Sequence, residues 1–351
     1  MIQVLVVEDS PLLRELLCRI LSSDPEIEVL AAVGDGEGAL TALESSSPDV
    51  ITMDIHMPGM GGVEATRAIM QTRPTPIVIV SASVQTQEAA SAFRALAAGA
   101  LAIVEKPVAP GVPGYEEMAA TMVRTVKLAA EVKVVRRWKH PPGPKLKRTR
   151  VESVVKGSGA EVRLVAIGAS TGGPQVLQAI LAGLSRDFSA PVLVVQHITP
   201  GFTDGFVEWL ASSSPLPVLI PEHGEQIRTG HIYVAPEHVH MKVERGETIS
   251  LSSDGPSNGH RPSVSVLFHS VAEVFGGDAV GVLLTGMGKD GAAELKRLKE
   301  KGAVTIVQDL ESSVVPGMPG EAIRLGAASH ILPPSQIAPA LNLLVATKIR
   351  V

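Results

Sequence analysis

Short runs of branched apolar residues recur along the chain with amphipathic stretches between them, and the pattern is laid down twice. In the first half the runs are Ile2 to Val7, Val29 to Val33, Val50 to Met53, Ile77 to Val80 and Leu101 to Val104. Each is too short for a helix and lacks the polar alternation of a half-exposed strand, so each reads as a strand buried on both faces. The stretches between them have helical spacing. From Ser10 to Leu21, Ser10 is a good N-cap, Pro11 fits the first helical position, and Leu12, Leu13, Leu16, Leu17 and Ile20 form the apolar face. The second half resumes with Val162 to Ile167, Val192 to Gln196, Ala279 to Leu284, Val304 to Val307 and an edge near Ala328 to Leu332. Helical stretches at Pro174 to Leu184 and Gly291 to Lys301 lie between them. One patch differs: Gly230-His-Ile-Tyr-Val, Val239-His-Met-Lys-Val and Thr248-Ile-Ser-Leu read as short antiparallel strands with a turn at Gly246. Strand and helix in alternation mean parallel sheets covered by helices, so the fold class is α/β, two doubly wound domains, the second with an antiparallel hairpin.

Two domains also fit the length, since 351 residues at about 150 per domain leaves room for two cores. Between them the texture changes: Lys133 to Arg163 holds ten Lys or Arg against Glu152 and Glu161, and His140-Pro-Pro-Gly-Pro interrupts any helix. The expected organisation is a domain over 1–125, a basic linker over 126–160 and a second domain over 161–351. A basic run can grip nucleic acid, but this one has a single aromatic, Trp138, and no recognition-helix pattern, so it reads as a solvated tether. The net charge of −5 likewise points away from nucleic acid and anionic membranes. Cys18, the one cysteine, can form no intrachain disulfide. No apolar run reaches the roughly 18 residues that span a bilayer, and Met1 leads into Ile-Gln-Val-Leu rather than a signal core. These features predict a cytoplasmic protein that neither inserts in membranes nor binds nucleic acid.

In the first domain Glu8 and Asp9 end the first strand, Asp54 the third and Ser81 the fourth, and Lys106 follows the fifth. Ligands of open parallel sheets bind at the carboxyl ends of strands, so three carboxylates, a hydroxyl and an ammonium converge on one edge. Three unpaired carboxylates repel, and a hard divalent cation such as Mg²⁺ removes that repulsion. One carboxylate, with Asp54 the central candidate, is then a nucleophile toward a phosphoryl donor, with Lys106 and Ser81 taking up charge on the phosphoryl oxygens. Any one of these residues alone is better read as a cap or surface charge. As a set, with Asp54-Ile-His-Met-Pro-Gly-Met and Lys106-Pro107, they resemble the receiver domain of two-component response regulators over residues 1 to about 125. The resemblance implies a flavodoxin-like fold, phosphotransfer from a histidine kinase to Asp54, and signalling through Ser81 and Lys106. It also implies Mg²⁺ held by Glu8, Asp9, Asp54 and the His56 backbone carbonyl. Gly61 stands where that family usually has Asp, and Ile103 where many receivers carry an aromatic switch residue, so an aromatic readout is not expected.

In the second domain Gly168-Ala-Ser170-Thr-Gly172-Gly173 lies between strand and helix, the setting of a nucleophile elbow whose glycines allow a sharp turn. A dinucleotide loop is the rival reading, but it needs Gly at position 170 and an acid after the next strand, where Gln196 and His197 stand. His197 and Asp290 end two further strands, so Ser, His and Asp face one crevice. Serine is a poor nucleophile unless a histidine takes its proton, and the histidine needs a carboxylate to hold its tautomer. Taken singly, Ser170 reads as a helix N-cap, His197 as a structural hydrogen-bonding residue and Asp290 as the N-cap of the helix from Gly291. His223, His231, His238 and His240 lack compact zinc-ligand spacing.

Gly168-Ala-Ser-Thr-Gly-Gly, Gln196-His197, Pro200-Gly-Phe-Thr, Tyr233-Val-Ala-Pro, His260-Arg-Pro-Ser-Val, Leu284-Thr-Gly-Met-Gly-Lys-Asp-Gly and Gly317-Met-Pro together resemble the chemotaxis protein-glutamate methylesterases, over about 160 to 345. The resemblance implies hydrolysis of glutamyl γ-methyl esters on cytoplasmic helices of methylated chemoreceptors, with glutamine deamidation in some members. It assigns Ser170 as nucleophile, His197 as base and then acid, and Asp290 as the residue orienting His197. Thr171 and the Met287 N–H would face the oxyanion, and the esterase reaction needs no cofactor. Ser265 replaces the usual Asp, and Pro316 and Gly320 flank Gly-Met-Pro, departures expected to bear on receptor preference. Two other readings are weaker: intact Ser170, His197 and Asp290 argue against a phosphorylation-dependent binding module without esterase activity, and an α/β second half with no recognition-helix pattern argues against a regulator binding DNA through the linker.

Overall fold

A computed structural model of the chain describes residues 1–82, 86–132 and 161–346. It divides into two compact units, Met1–Gly143 and Pro144–Val351. In the first, five strands, β1 (Ile2–Val7), β2 (Ile27–Val33), β3 (Val50–Asp54), β4 (Ile77–Ser81) and β5 (Ala102–Glu105), form one sheet in the order β2-β1-β3-β4-β5. All neighbours run parallel. The β3 and β4 residues are buried throughout, which accounts for their unbroken apolar character. The helices are α1 (Pro11–Ser22), α2 (Gly36–Ser45), α3 (Gly62–Thr72), α4 (Thr86–Ala98) and α5 (Tyr115–Ala130).

Local chemistry sets the helix starts. Ser10 caps α1 by accepting from Leu13 N, and Asp35 caps α2 by accepting from Gly38 N at 2.6 Å. The buried face of α1 is Leu17, Ile20 and Leu21, whereas Leu12, expected on that face, is 80% exposed because it sits in the first turn on the far side. Gly61 precedes α3 with no side-chain cap. Helix α5 continues through Ala130, past the expected domain end at 125. The basic run from Lys133 to residue 160 lies outside the described residues.

The second unit holds a seven-stranded sheet in the order β14-β13-β12-β6-β7-β9-β8, parallel throughout. Its strands are β6 (Leu164–Ala169), β7 (Val192–Gln196), β8 (Val218–Leu219), β9 (Ile232–Val234), β12 (Ala279–Leu283), β13 (Val304–Gln308) and β14 (His330–Leu332). A separate antiparallel pair, β10 (His240–Glu244) and β11 (Thr248–Ser252), turns at Gly246 as expected. The Ile-Tyr-Val run is not part of it. As β9 it pairs parallel with β7 and β8, its three residues buried, and β8 was not foreseen from the sequence. A three-residue apolar run carries no information about the direction of its partner.

Six helices complete this unit: α6 (Gly173–Ala182), α7 (Thr203–Ala211), α8 (Val264–Val274), α9 (Ala292–Glu300), α10 (Gly317–Arg324) and α11 (Pro334–Ala346). Val264, Leu267, Phe268 and Val271 of α8 join Leu164 and Ala166 of β6, Met241 and Val243 of β10, and Leu295 of α9 in one core. The chain runs from β6 outward through β7 and returns to β12 on the other side of β6, so the order reverses between β6 and β12. Loops after those strands open into a crevice there. No helix among the described residues is long and apolar enough to cross a membrane.

Candidate active site and phosphoacceptor site

The nucleophile turn follows directly from β6. Gly173 N donates to the Ser170 carbonyl at 2.8 Å, and Gly172 is left-handed at φ 76°. A Cβ on Gly172 would lie 2.5 Å from Val314 Cβ, so glycine is required there by space as well as by backbone. Ser170 is not an N-cap: α6 follows Gly172 with no side-chain cap, and Ser170 N donates instead to the Thr285 carbonyl. Across the crevice, a Cβ on Gly286 would come 2.6 Å from Ser170 Cβ and 2.4 Å from Met318 Sδ, which brings the 285–288 loop against the serine. The N–H groups of Thr171 and Met287 make no backbone hydrogen bond within the described residues.

His197 and Asp290 come from the strands on either side of β6 and meet: His197 Nε2 lies 2.9 Å from Asp290 Oδ2, with side chains 9% and 1% exposed. Nor is Asp290 the cap of α9, a place taken by Gly291. Its Oδ1 accepts from Ser263 Oγ at 2.8 Å, Ser265 N at 3.1 Å and Asn258 Nδ2 at 3.1 Å, and its Oδ2 from Val264 N at 2.7 Å. Two of those donors are the first N–H groups of α8, which have no intrahelical partner and favour a negative charge. Burial pushes the Asp290 carboxyl up, but the His197, Ser265 and Asn258 contacts outweigh it and hold its pKa far below the usual carboxylate range.

An ionised Asp290 keeps the proton on His197 Nε2, which leaves the base lone pair on Nδ1. That nitrogen is buried without a hydrogen-bond partner, so the Ser170–His197 hydrogen bond is not made in this structure. Such contacts often tighten only with substrate bound.

Several contacts here are not visible in the sequence. Gln196, 4% exposed, donates through its amide to the Ser170 carbonyl at 2.9 Å and the His197 carbonyl at 2.7 Å, tying the two loops together. Asn258 reaches Asp290 from a tight turn whose Asn-Gly sequence was a visible turn signal. Ser265, which the sequence connects only with receptor preference, lies under the Asp290 carboxylate, donating to Glu294 Oε2 at 2.7 Å and accepting from Gly291 N at 2.9 Å. Three of the four histidines weighed for zinc make ordinary contacts: His223 Nδ1 with the Leu251 backbone, His231 Nδ1 with the Thr229 carbonyl and His240 Nε2 with the Gly255 carbonyl.

In the first unit Asp54 is buried at the end of β3, its Oδ1 accepting from Ile55 N at 2.7 Å and facing Lys106 Nζ at 3.0 Å. Glu8 lies 3.2 Å from the same ammonium. Burial and the Asp54 charge raise the Glu8 pKa to about 7, against the pull of Lys106. Burial pulls Lys106 down, but Asp54 and Glu8 outweigh it and hold its pKa above the ordinary lysine value. Two atoms stand ready for a ligand: Asp54 Oδ2 and Ser81 Oγ, both buried without hydrogen-bond partners. Oxygens of Glu8, Asp9 and Asp54 lie within 4.8 Å of one another, a hard, all-oxygen donor set that fits Mg²⁺. His56 is exposed just beyond β3. Arg14, not singled out from the sequence, donates to the Glu8 carbonyl at 2.6 Å and steadies the strand end.

A strand-end serine beside a His–Asp pair, in a chain that also carries a buried strand-end aspartate facing a lysine, matches one class: a response regulator whose output unit is a serine hydrolase. Residues 165–341 match the CheB methylesterase family and residues 4–112 the response regulator receiver domain. A protein-glutamate methylesterase/protein-glutamine glutaminase of Nitrosospira multiformis is 55% identical over 99% of this chain and 98% of its own length. One from Geobacter metallireducens is 54% identical over 99% of this chain and its whole length. The CheB methylesterase catalytic domain of Thermotoga maritima superposes with a TM-score of 0.50 at 38% identity, covering 53% of this chain and all of that domain. The chain belongs to the CheB methylesterase family, with a receiver domain in front.

Proposed function

We propose that the second unit hydrolyses glutamyl γ-methyl esters on chemoreceptors, and glutamine side-chain amides at the same site, under control of phosphorylation at Asp54. The observation that carries this reading is the buried 2.9 Å contact between His197 and an ionised Asp290 beside the Ser170 turn. Ser170 Oγ attacks the ester carbonyl carbon and gives its proton to His197 Nδ1, while Nε2–H stays on Asp290. The oxyanion is met by the Thr171 and Met287 N–H groups at the start of α6 and in the 285–288 loop. His197 then returns the proton to the leaving methoxide, and methanol departs. Water attacks the acyl-serine, passing a proton to His197 and back to Ser170, and glutamate is released. With an amide substrate ammonia leaves in place of methanol.

In the receiver, Asp54 Oδ2 takes the phosphoryl group from a histidine kinase, and Lys106 and Ser81 meet its oxygens. Glu8, Asp9, Asp54 and the His56 carbonyl would hold Mg²⁺, which would neutralise charge on the carboxylates and phosphoryl oxygens. The family reading favours an enzyme over a catalytically silent binding module, and a cytoplasmic site of action follows from the substrates proposed.

Ser170→Ala tests the assignment. It should fold as the wild type and lose at least about 10³-fold in methanol release from a methylated receptor. A variant retaining a tenth of wild-type turnover would show that another group is the nucleophile.

A further inference from the structure

The ring of His260 lies flat on that of His197, with centroids 3.8 Å apart and planes within 11°. His260 ends a tight turn from Ser257, closed by Ser257 N to His260 O at 3.1 Å and His260 N to Ser257 O at 3.0 Å. The two central residues, Asn258 and Gly259, are left-handed at φ 52° and 79°, a rigid geometry that Asn-Gly adopts readily. Asn258 of this turn donates to Asp290 Oδ1 at 3.1 Å. One short turn therefore touches both members of the His–Asp pair. Asn258, Ser263 and the first N–H groups of α8 act on the carboxylate, whereas His260 acts on the imidazole.

We propose that His260 is a positioning residue for His197, its ring fixing the rotation of the imidazole and stabilising the imidazolium formed during the reaction. This role rests on the esterase reading above. A single hydrogen bond from Nε2 to Asp290 leaves the ring able to swing about that contact, and a parallel ring at 3.8 Å removes the swing and holds Nδ1 in one place. When Nδ1 accepts the Ser170 proton the imidazole becomes a cation, with one edge on the Asp290 carboxylate and one face on the aromatic ring of His260. Attraction between a cation and an aromatic face is then gained in the transition state and absent from the resting enzyme. Loss of the ring should lower kcat and leave KM nearly unchanged.

The test compares full-length wild type, His260→Ala and His260→Phe on membranes carrying a chemoreceptor methyl-esterified with labelled methyl groups, following methanol release across substrate concentrations, with a melting curve for each variant. His260→Ala should lose about 2- to 30-fold in kcat with KM within about twofold of wild type. His260→Phe, which keeps a flat ring and loses both nitrogens, should recover most of that loss. If the alanine variant does not fold, His260→Gln, which keeps a polar nitrogen and loses the ring, replaces it with the same expected loss. Wild-type kcat in the ringless variant overturns the proposal, as does a loss in His260→Phe equal to that in His260→Ala. A raised KM with unchanged kcat overturns it too, by placing His260 in substrate binding. A wild-type chain that releases no methanol removes the esterase reading and this role together, an outcome distinct from active wild type with indifferent variants.

Discussion

Two side chains without a chemical step of their own decide how well the site is held. Gln196 is the first: its buried amide spends both hydrogens on the carbonyls of Ser170 and His197. Gln196→Glu keeps the shape but sets a carboxylate against two carbonyl oxygens. Leaving those acceptors unpaired should cost about 1–3 kcal/mol in urea unfolding and lower kcat by on the order of 10-fold or more. Wild-type values for both would show that the two loops hold their places without the amide. Asp290 is the second. Its folded pKa is lowered, so its contribution to stability is fully present above the unfolded aspartate value of about 3.9 and is lost as pH falls through the folded value. Asp290→Asn should therefore lose less stability between about pH 4 and pH 2 than the wild type does, measured by urea unfolding at a series of pH values. It should also cut kcat by on the order of 10³- to 10⁴-fold, since an asparagine no longer enforces the tautomer. Parallel stability curves for the two proteins would show that the carboxylate is not held ionised by its neighbours.

The elements that carry these residues were readable to unequal degrees. Strands β1, β3, β4, β6, β7, β12 and β13 announced themselves because a strand buried on both faces must be an unbroken apolar run, and the residues ending them were thereby placed on one edge. Position along a strand is a local property, which is why Ser170, His197, Asp290, Asp54 and Lys106 could be picked out. What packs beside a strand end is not local. The sequence connects Ser265 only with receptor preference and shows Gln196 and His260 only as parts of motifs, because their contacts are with residues far away in the sequence. The β9 run was misplaced for the same reason, its parallel partners being set by the crossover through α7. At this scale the sharpest constraint is the turn joining β6 to α6. Gly172→Ala must hold a left-handed backbone and bring Cβ within 2.5 Å of Val314 Cβ. It should destabilise the protein by about 1–3 kcal/mol and depress kcat more than it raises KM, because the serine moves with the turn. A Gly172→Ala variant with unchanged melting temperature and turnover would mean that the turn is less tightly determined than its packing indicates.

The whole molecule joins a candidate phosphoacceptor site and a candidate ester-hydrolysing site in one chain, the described residues of each lying within one unit. The candidate catalytic residues, their hydrogen-bonding partners and the side chains packed on the serine turn all lie between Leu164 and Met318, and the sheet that positions them needs no strand from the first unit. Phosphorylation therefore has no catalytic group to supply. It can act only by shifting a balance between states of the chain that differ in activity, and only by as much as the phosphoryl group distinguishes them, typically about 1–3 kcal/mol or 5- to 150-fold. On that ground Asp54→Asn should keep basal methanol release close to wild type while losing all stimulation by a small-molecule phosphodonor supplied with Mg²⁺. A second comparison separates restraint from recruitment. Residues 161–351 alone should be faster than the unphosphorylated full chain if the unphosphorylated receiver holds the enzyme back, and the gain should approach that produced by the phosphodonor. A fragment no faster than the full chain would rule out restraint, and the receiver would then act by bringing the enzyme to its receptor, an effect visible as a lowered KM on receptor membranes with kcat unchanged.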